Sequence, residues 1–193
     1  MRADARTEST VRGIVVGRMP FSNTSLLVTW ATPEAGIIKT MAKGVSGPRP
    51  SAGLLPDLFY LCEVRYLPPA KGGIGTLREA RLLHPFLPLR RDWTVLLCAH
   101  YFADLLASLS EPETEIALLF ELFEKALRHL ETHAPTPKLV TRYEARLLEL
   151  SGLGLPPTAS VTETSAALRR AVETHHHRLP PTREKLLKAL GME

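Results

Sequence analysis

Apolar and polar positions change rhythm halfway along the chain. Up to residue 84 the apolar runs are short, rich in β-branched residues and broken by turn residues. They are Thr10–Val16 (TVRGIVV), Leu26–Trp30 (LLVTW), Ile37–Ala42, Leu55–Leu67 and Thr76–Leu83. Gly, Pro and Ser separate them. Gly72-Gly73-Ile74-Gly75 lies between two strand-like runs rather than before a helix, so it reads as a hairpin turn and not as a phosphate loop. Five short strands in this arrangement predict a small barrel or sandwich. The stretch 44–53 has no period and reads as a loop.

After His84-Pro85 and Pro88 the period becomes helical. Asp92 is a candidate N-cap for a helix through about Leu109. Glu111-Pro112-Glu113 is expected to open a second, through about Thr132, with Ile116, Leu119, Phe120, Phe123, Leu127 and Leu130 at helical spacing. Pro137 opens a third, which Gly152 ends. Two more are expected near 163–175 and 181–190, separated by Pro180-Pro181. Strands precede helices without alternating with them, which argues against a βαβ sheet. The fold class is therefore α+β, with residues 1–84 forming one domain and 85–193 a helical one.

A chain of 193 residues with 45% apolar and 23% charged residues has an ordinary globular composition. No run approaches the roughly 18 apolar residues of a membrane span. The start, MRADARTESTVRG, lacks the apolar segment of a secretory signal. A cytoplasmic protein is expected, with Cys62 and Cys98 as free buried thiols. The net charge of +4 conceals an asymmetry: residues 1–91 carry +7 and residues 92–193 carry −3. A basic half joined to a mildly acidic half suggests two jobs.

Enzyme signatures are missing. There is no C-x-x-C pair, no G-x-S-x-G elbow and no phosphate-loop spacing. His175-His176-His177 is the one histidine cluster, and three consecutive side chains on a regular helix cannot meet one metal. Neither catalysis nor a cofactor or metal is expected.

The basic half points elsewhere. Alternation along the third strand puts Lys39, Met41 and Lys43 on one face, and Ile38, Thr40 and Ala42 on the other. Spaced cations on a strand face suit a phosphate backbone. Arg49 lies in the following loop, and Arg18 lies in the basic half upstream of them. Phe21 and Trp30, near turns, are candidate platforms for stacked bases. These six residues form the candidate nucleic-acid site.

Four stretches in order resemble the bacterial recombination mediator RecO family. They are Arg18-Met19-Pro20-Phe21-Ser22-Asn23-Thr24-Ser25-Leu26; Glu34-Ala35-Gly36 through Met41-Ala42-Lys43-Gly44; the helix end Arg142 to Gly154 (RYEARLLELSGLG); and Leu179-Pro180-Pro181-Thr182-Arg183. The resemblance implies a five-stranded OB-fold barrel followed by a helical domain. It implies binding of single- and double-stranded DNA, annealing of complementary strands, and assistance to RecA on DNA coated with single-stranded DNA-binding protein. The implied partners are RecR and the acidic C-terminal tail of single-stranded DNA-binding protein. Three departures stand out. The basic run that follows Lys-Gly in the family is here Val45-Ser46-Gly47-Pro48-Arg49. The four-cysteine zinc module of many members is replaced by Leu155-Pro156-Pro157 running into Thr158-Ala159-Ser160, so no zinc is expected. The chain is also shorter than usual members. An alternative is an adaptor whose helical domain holds a partner peptide, with little DNA binding of its own.

Overall fold

A computed structural model of the chain describes residues 7–44, 56–110, 114–154, 156, 159–174 and 178–191. Arg49, most of the 44–53 loop, Glu111 to Glu113 and the three-histidine run lie outside the described residues.

Five strands, β1 (Ser9–Ser22), β2 (Ser25–Thr32), β3 (Gly36–Lys43), β4 (Leu61–Leu67) and β5 (Ile74–His84), close into a barrel in the order β1-β2-β3-β5-β4. The barrel is the OB-fold that the resemblance implies. β1 runs 14 residues because it serves two neighbours. Its first half pairs with β4 and its second with β2, and a register shift between Val15 and Gly17 bends it from one to the other. Closure comes from a short parallel contact of β3 with β5, Lys39 to Ile74 through Met41 to Thr76. Gly75 sits at that seam. A Cβ there would lie 2.9 Å from the Leu67 carbonyl oxygen of β4, so only glycine lets β5 approach β4 at this point.

The interior holds Val15, Val28, Trp30, Ile38, Ala42, Cys62, Val64, Tyr66 and Ala80. These are the alternate positions of each strand, as a barrel filled by side chains requires. The turn before β4 is docked on β1: Val15 N–H donates to the Tyr60 carbonyl (3.0 Å), and Phe59 N–H donates to the Val15 carbonyl (2.8 Å). Phe59 is fully buried and has φ of 62°, a left-handed conformation that this burial holds in place.

Five helices follow: α1 (Trp93–Leu109), α2 (Ala117–Thr132), α3 (Pro137–Leu150), α4 (Val161–Thr174) and α5 (Pro181–Ala189). Asp92 caps α1, its carboxylate accepting from Thr94 N–H (2.8 Å) and Val95 N–H (3.1 Å). Gly152, with φ of 74°, ends α3. Ser160 and Glu163 form a capping box that starts α4: Ser160 N–H and Oγ–H donate to the carboxylate, and Glu163 N–H donates back to Oγ.

One helix start is corrected. The second helix begins at Ala117, not at Glu111 to Glu113, and Ile116 lies outside it. The Ile116 N–H donates to the Pro33 carbonyl in the β2–β3 turn (2.9 Å), which withdraws that amide from any helical ladder. The chain accordingly divides into one unit of the residues up to Pro85 together with the short segment that ends at Ile116, and one unit of the remaining residues from Phe86 onward.

The helical unit is joined to its own last helix by a buried polar cluster. Arg183 of α5 donates to both Glu144 oxygens (2.9 and 3.3 Å) and to Ser165 Oγ (2.8 Å). Tyr101 donates its hydroxyl to the same carboxylate at 2.5 Å. Burial, then the Glu144 charge, raises the Tyr101 pKa well above the ordinary phenol value. Burial acts to lower that of Arg183, but Glu144 outweighs it and the guanidinium stays above its usual value.

Candidate nucleic-acid interface

The outer surface of β3 follows from the pleat. Residues 36, 38, 40 and 42 are buried, while Lys39 and Lys43 are exposed with Met41 half-buried between them. The pairing of β2 with β3 sets Thr29 beside Lys39, Leu27 beside Met41 and Ser25 beside Lys43. The pairing of β1 with β2 sets Met19 beside Leu27, and the parallel seam sets Ile74 beside Lys39. Directly paired residues share a face. The outer side of β1, β2 and β3 is thus three cross-strand rows, with an apolar one between two that each hold a lysine. Lys39 and Lys43 are four residues apart, roughly 13 Å at about 3.3 Å per residue. Lys39 has no ion pair among the described residues.

The other expected site residues do not all gather here. Trp30 is corrected: it is fully buried, and its indole N–H donates to Thr40 Oγ1 at 2.8 Å. It is an interior side chain with its one polar atom satisfied, and no base can stack on it. Arg18 is half-exposed and leaves the lysine face as well. It pairs with inward-facing Val28, and Nη1 reaches the Asp57 carboxylate (3.0 Å) and the Pro56 carbonyl (3.3 Å). It positions the segment entering β4. Phe21, near the tip of the β1–β2 hairpin, is 63% exposed and available for stacking. Met19 and Leu27 were not among the expected residues. The alternation of RMPFS and LLVTW carries the signal for them, once β1 is extended past Val16 to Ser22.

The β4–β5 side of the same barrel is different. Arg65 bridges Glu8 (3.3 Å) and Glu79 (2.8 Å), Arg78 reaches Glu8 (3.1 Å), and Arg81 reaches Glu63 (3.0 Å). The Arg81 hydrogen bond and charge hold the Glu63 carboxyl below its usual range. Charges here neutralise one another.

The helical unit has an open groove of about 1440 Å³ beside α2, α3 and the start of α4. Lys125, Lys138, Arg142 and Arg146 stand around an apolar lining that includes Leu122, Leu139 and Val161. Two of these cations are shared with neighbouring carboxylates: Lys125 with Glu121 (3.3 Å) and Arg146 with Glu149 (2.6 Å). His129 also lines the groove, and burial followed by the neighbouring His133 lowers its pKa. Among the described residues no three His, Cys, Asp or Glu side chains are placed to hold a metal ion. Burial pushes both thiols, Cys62 and Cys98, up to about 12, which makes them poor nucleophiles at neutral pH. No helix among the described residues is long and apolar enough to cross a membrane.

Comparison with known proteins agrees with both halves. The family described as Recombination protein O N terminal matches residues 6–86, and that described as Recombination protein O C terminal matches residues 90–188. Similar curated proteins are each named DNA repair protein RecO. That of Haemophilus influenzae (strain 86-028NP) is 32% identical over 144 residues, 75% of this chain and 59% of the relative. That of Proteus mirabilis is 34% identical over 146 residues, 75% of this chain and 57% of the relative. That of Halalkalibacterium halodurans is 26% identical over 179 residues, 86% of this chain and 69% of the relative. The chain thus spans about three-fifths of the length of the first two. A closed five-stranded barrel, a helical unit after it, and family matches over nearly the whole chain lead to one conclusion: the chain belongs to the RecO family.

Proposed function

We propose that this protein is a mediator of DNA repair and recombination that binds DNA through its barrel and a protein partner through its helical unit. The single observation that supports it most is the outer face of β3, where exposed Lys39 and Lys43 flank an apolar row. Strands 2 and 3 are the side on which OB-folds generally take oligonucleotides. Lysines there attract phosphates, and Phe21 offers a ring to a base. By resemblance to the family, the bound strands are annealed to complementary ones, and RecA is helped onto DNA covered by single-stranded DNA-binding protein. RecR and the acidic tail of that protein are the proposed partners. The groove of α2, α3 and α4, apolar with a cationic rim, suits an acidic segment that ends in apolar residues. No catalytic step belongs to this reading, and its setting is the cytoplasm.

The test is a fluorescence titration with single-stranded oligonucleotide across salt concentrations. The variant carrying Lys39→Ala and Lys43→Ala is expected to lower the slope of log affinity against log salt by about 0.7 per lost phosphate contact. An unchanged slope removes these lysines from the site. The groove also favours a second reading, the adaptor. Absence of DNA binding by the wild type at low salt, with binding of an acidic peptide retained, would decide for it.

A further inference from the structure

Strand β3 carries the exposed Lys39 and Lys43 but no aromatic residue. With Trp30 inside, Phe21 is the remaining aromatic of the expected set, and it sits near a hairpin tip. The centre of the face is the row Met19, Leu27, Met41, three neighbours across β1, β2 and β3. At about 4.8 Å per strand the row spans roughly 10 Å. Met19 is 57% exposed, and Leu27 and Met41 are half-buried. Its flanking rows hold Lys39 on one side and Lys43 on the other.

We infer that this row is a base-contacting surface, and that it makes the face prefer single strands to duplexes. The inference rests on the proposed DNA binding by the barrel. Charge complementarity decides the occupant: an apolar strip framed by two cations fits an anionic polymer that also exposes apolar faces. Single-stranded DNA does so, because its bases are free to leave the stack. A duplex presents phosphates to the lysines and keeps its base faces covered. Thioether sulfur makes favourable contacts with aromatic rings, and every base has such a face. Binding through this row is therefore indifferent to sequence. It adds affinity that salt does not screen, whereas the lysines supply the part that salt removes.

The experiment compares three probes at several salt concentrations: oligothymidylate, a base-free deoxyribose-phosphate strand of equal length, and a duplex. The wild-type protein is expected to bind oligothymidylate about tenfold more tightly than the base-free strand, with parallel salt slopes. Met19→Ser with Met41→Ser should shrink that gap to about twofold and narrow the preference over duplex, leaving the slope unchanged. Met19→Leu with Met41→Leu should keep the gap, since it retains apolar area. Equal wild-type affinity for the thymidylate and base-free strands overturns the inference alone. So does a gap that survives in the serine variant, or an equal loss on both strands. Failure of the wild type to bind any probe overturns the barrel's DNA binding as well.

Discussion

The two units differ in where they commit charge. The helical unit buries one pair in its interior: Glu144 is 1% exposed, and Arg183 is bound to it from another helix. The barrel keeps its charges outside, paired on the β4–β5 side and spaced along an apolar strip on the β2–β3 side. A buried charge must be matched in place, because the dehydrated ion has no other source of stabilisation. It therefore fixes architecture, here the seating of α5 against α1, α3 and α4. An exposed charge is already hydrated and contributes little to stability; Lys39, with no ion pair among the described residues, remains available to a ligand. The same residue types act as a structural joint in one region and as a candidate binding surface in the other.

The sharpest way to break this comparison is at the buried pair. Arg183→Ala leaves the Glu144 carboxylate buried without its cation and should cost about 3–5 kcal/mol of stability in urea denaturation. A loss below about 1 kcal/mol would show the pair to be no more than a surface-like contact. Next in size is the Trp30–Thr40 bond inside the barrel. Trp30→Phe keeps most of the ring but removes the indole N–H from Thr40 Oγ1. It should cost about 1–3 kcal/mol by chemical denaturation, with the salt slope of DNA binding unchanged. A changed slope would return Trp30 to the interface. The smallest effect is expected on the paired side. Arg81→Ala breaks an exposed bridge to Glu63 and should leave the denaturation midpoint almost where it was, with no change in oligonucleotide affinity at fixed salt. A clear loss of affinity would extend the interface to β5.

The candidate site was legible in part, and the reason differs by residue. Lys39 and Lys43 were readable because strand alternation is local: once Ile37–Ala42 is a strand, the side of each residue is decided. Trp30 shows the limit of that local rule. Its place at a strand end suggested exposure, yet its side chain lies in the closed barrel's interior, and Thr40 on the neighbouring strand β3 supplies an acceptor. Arg18 has the composition of a phosphate ligand, but its partner Asp57 is 39 positions away in sequence. No local pattern announces that pairing.

The chain's own rhythm determined the order of elements, the change from period two to the helical period near residue 84, the Asp92 cap and the Gly152 stop. Each depends on neighbours within a few residues, where backbone sterics and hydrogen bonding act directly. Only the closed barrel decided which aromatic is inside, which arginines are already engaged, and that Met19, Leu27 and Met41 form one row. Those outcomes depend on strand register, and register joins residues far apart in sequence through burial that no single segment contains.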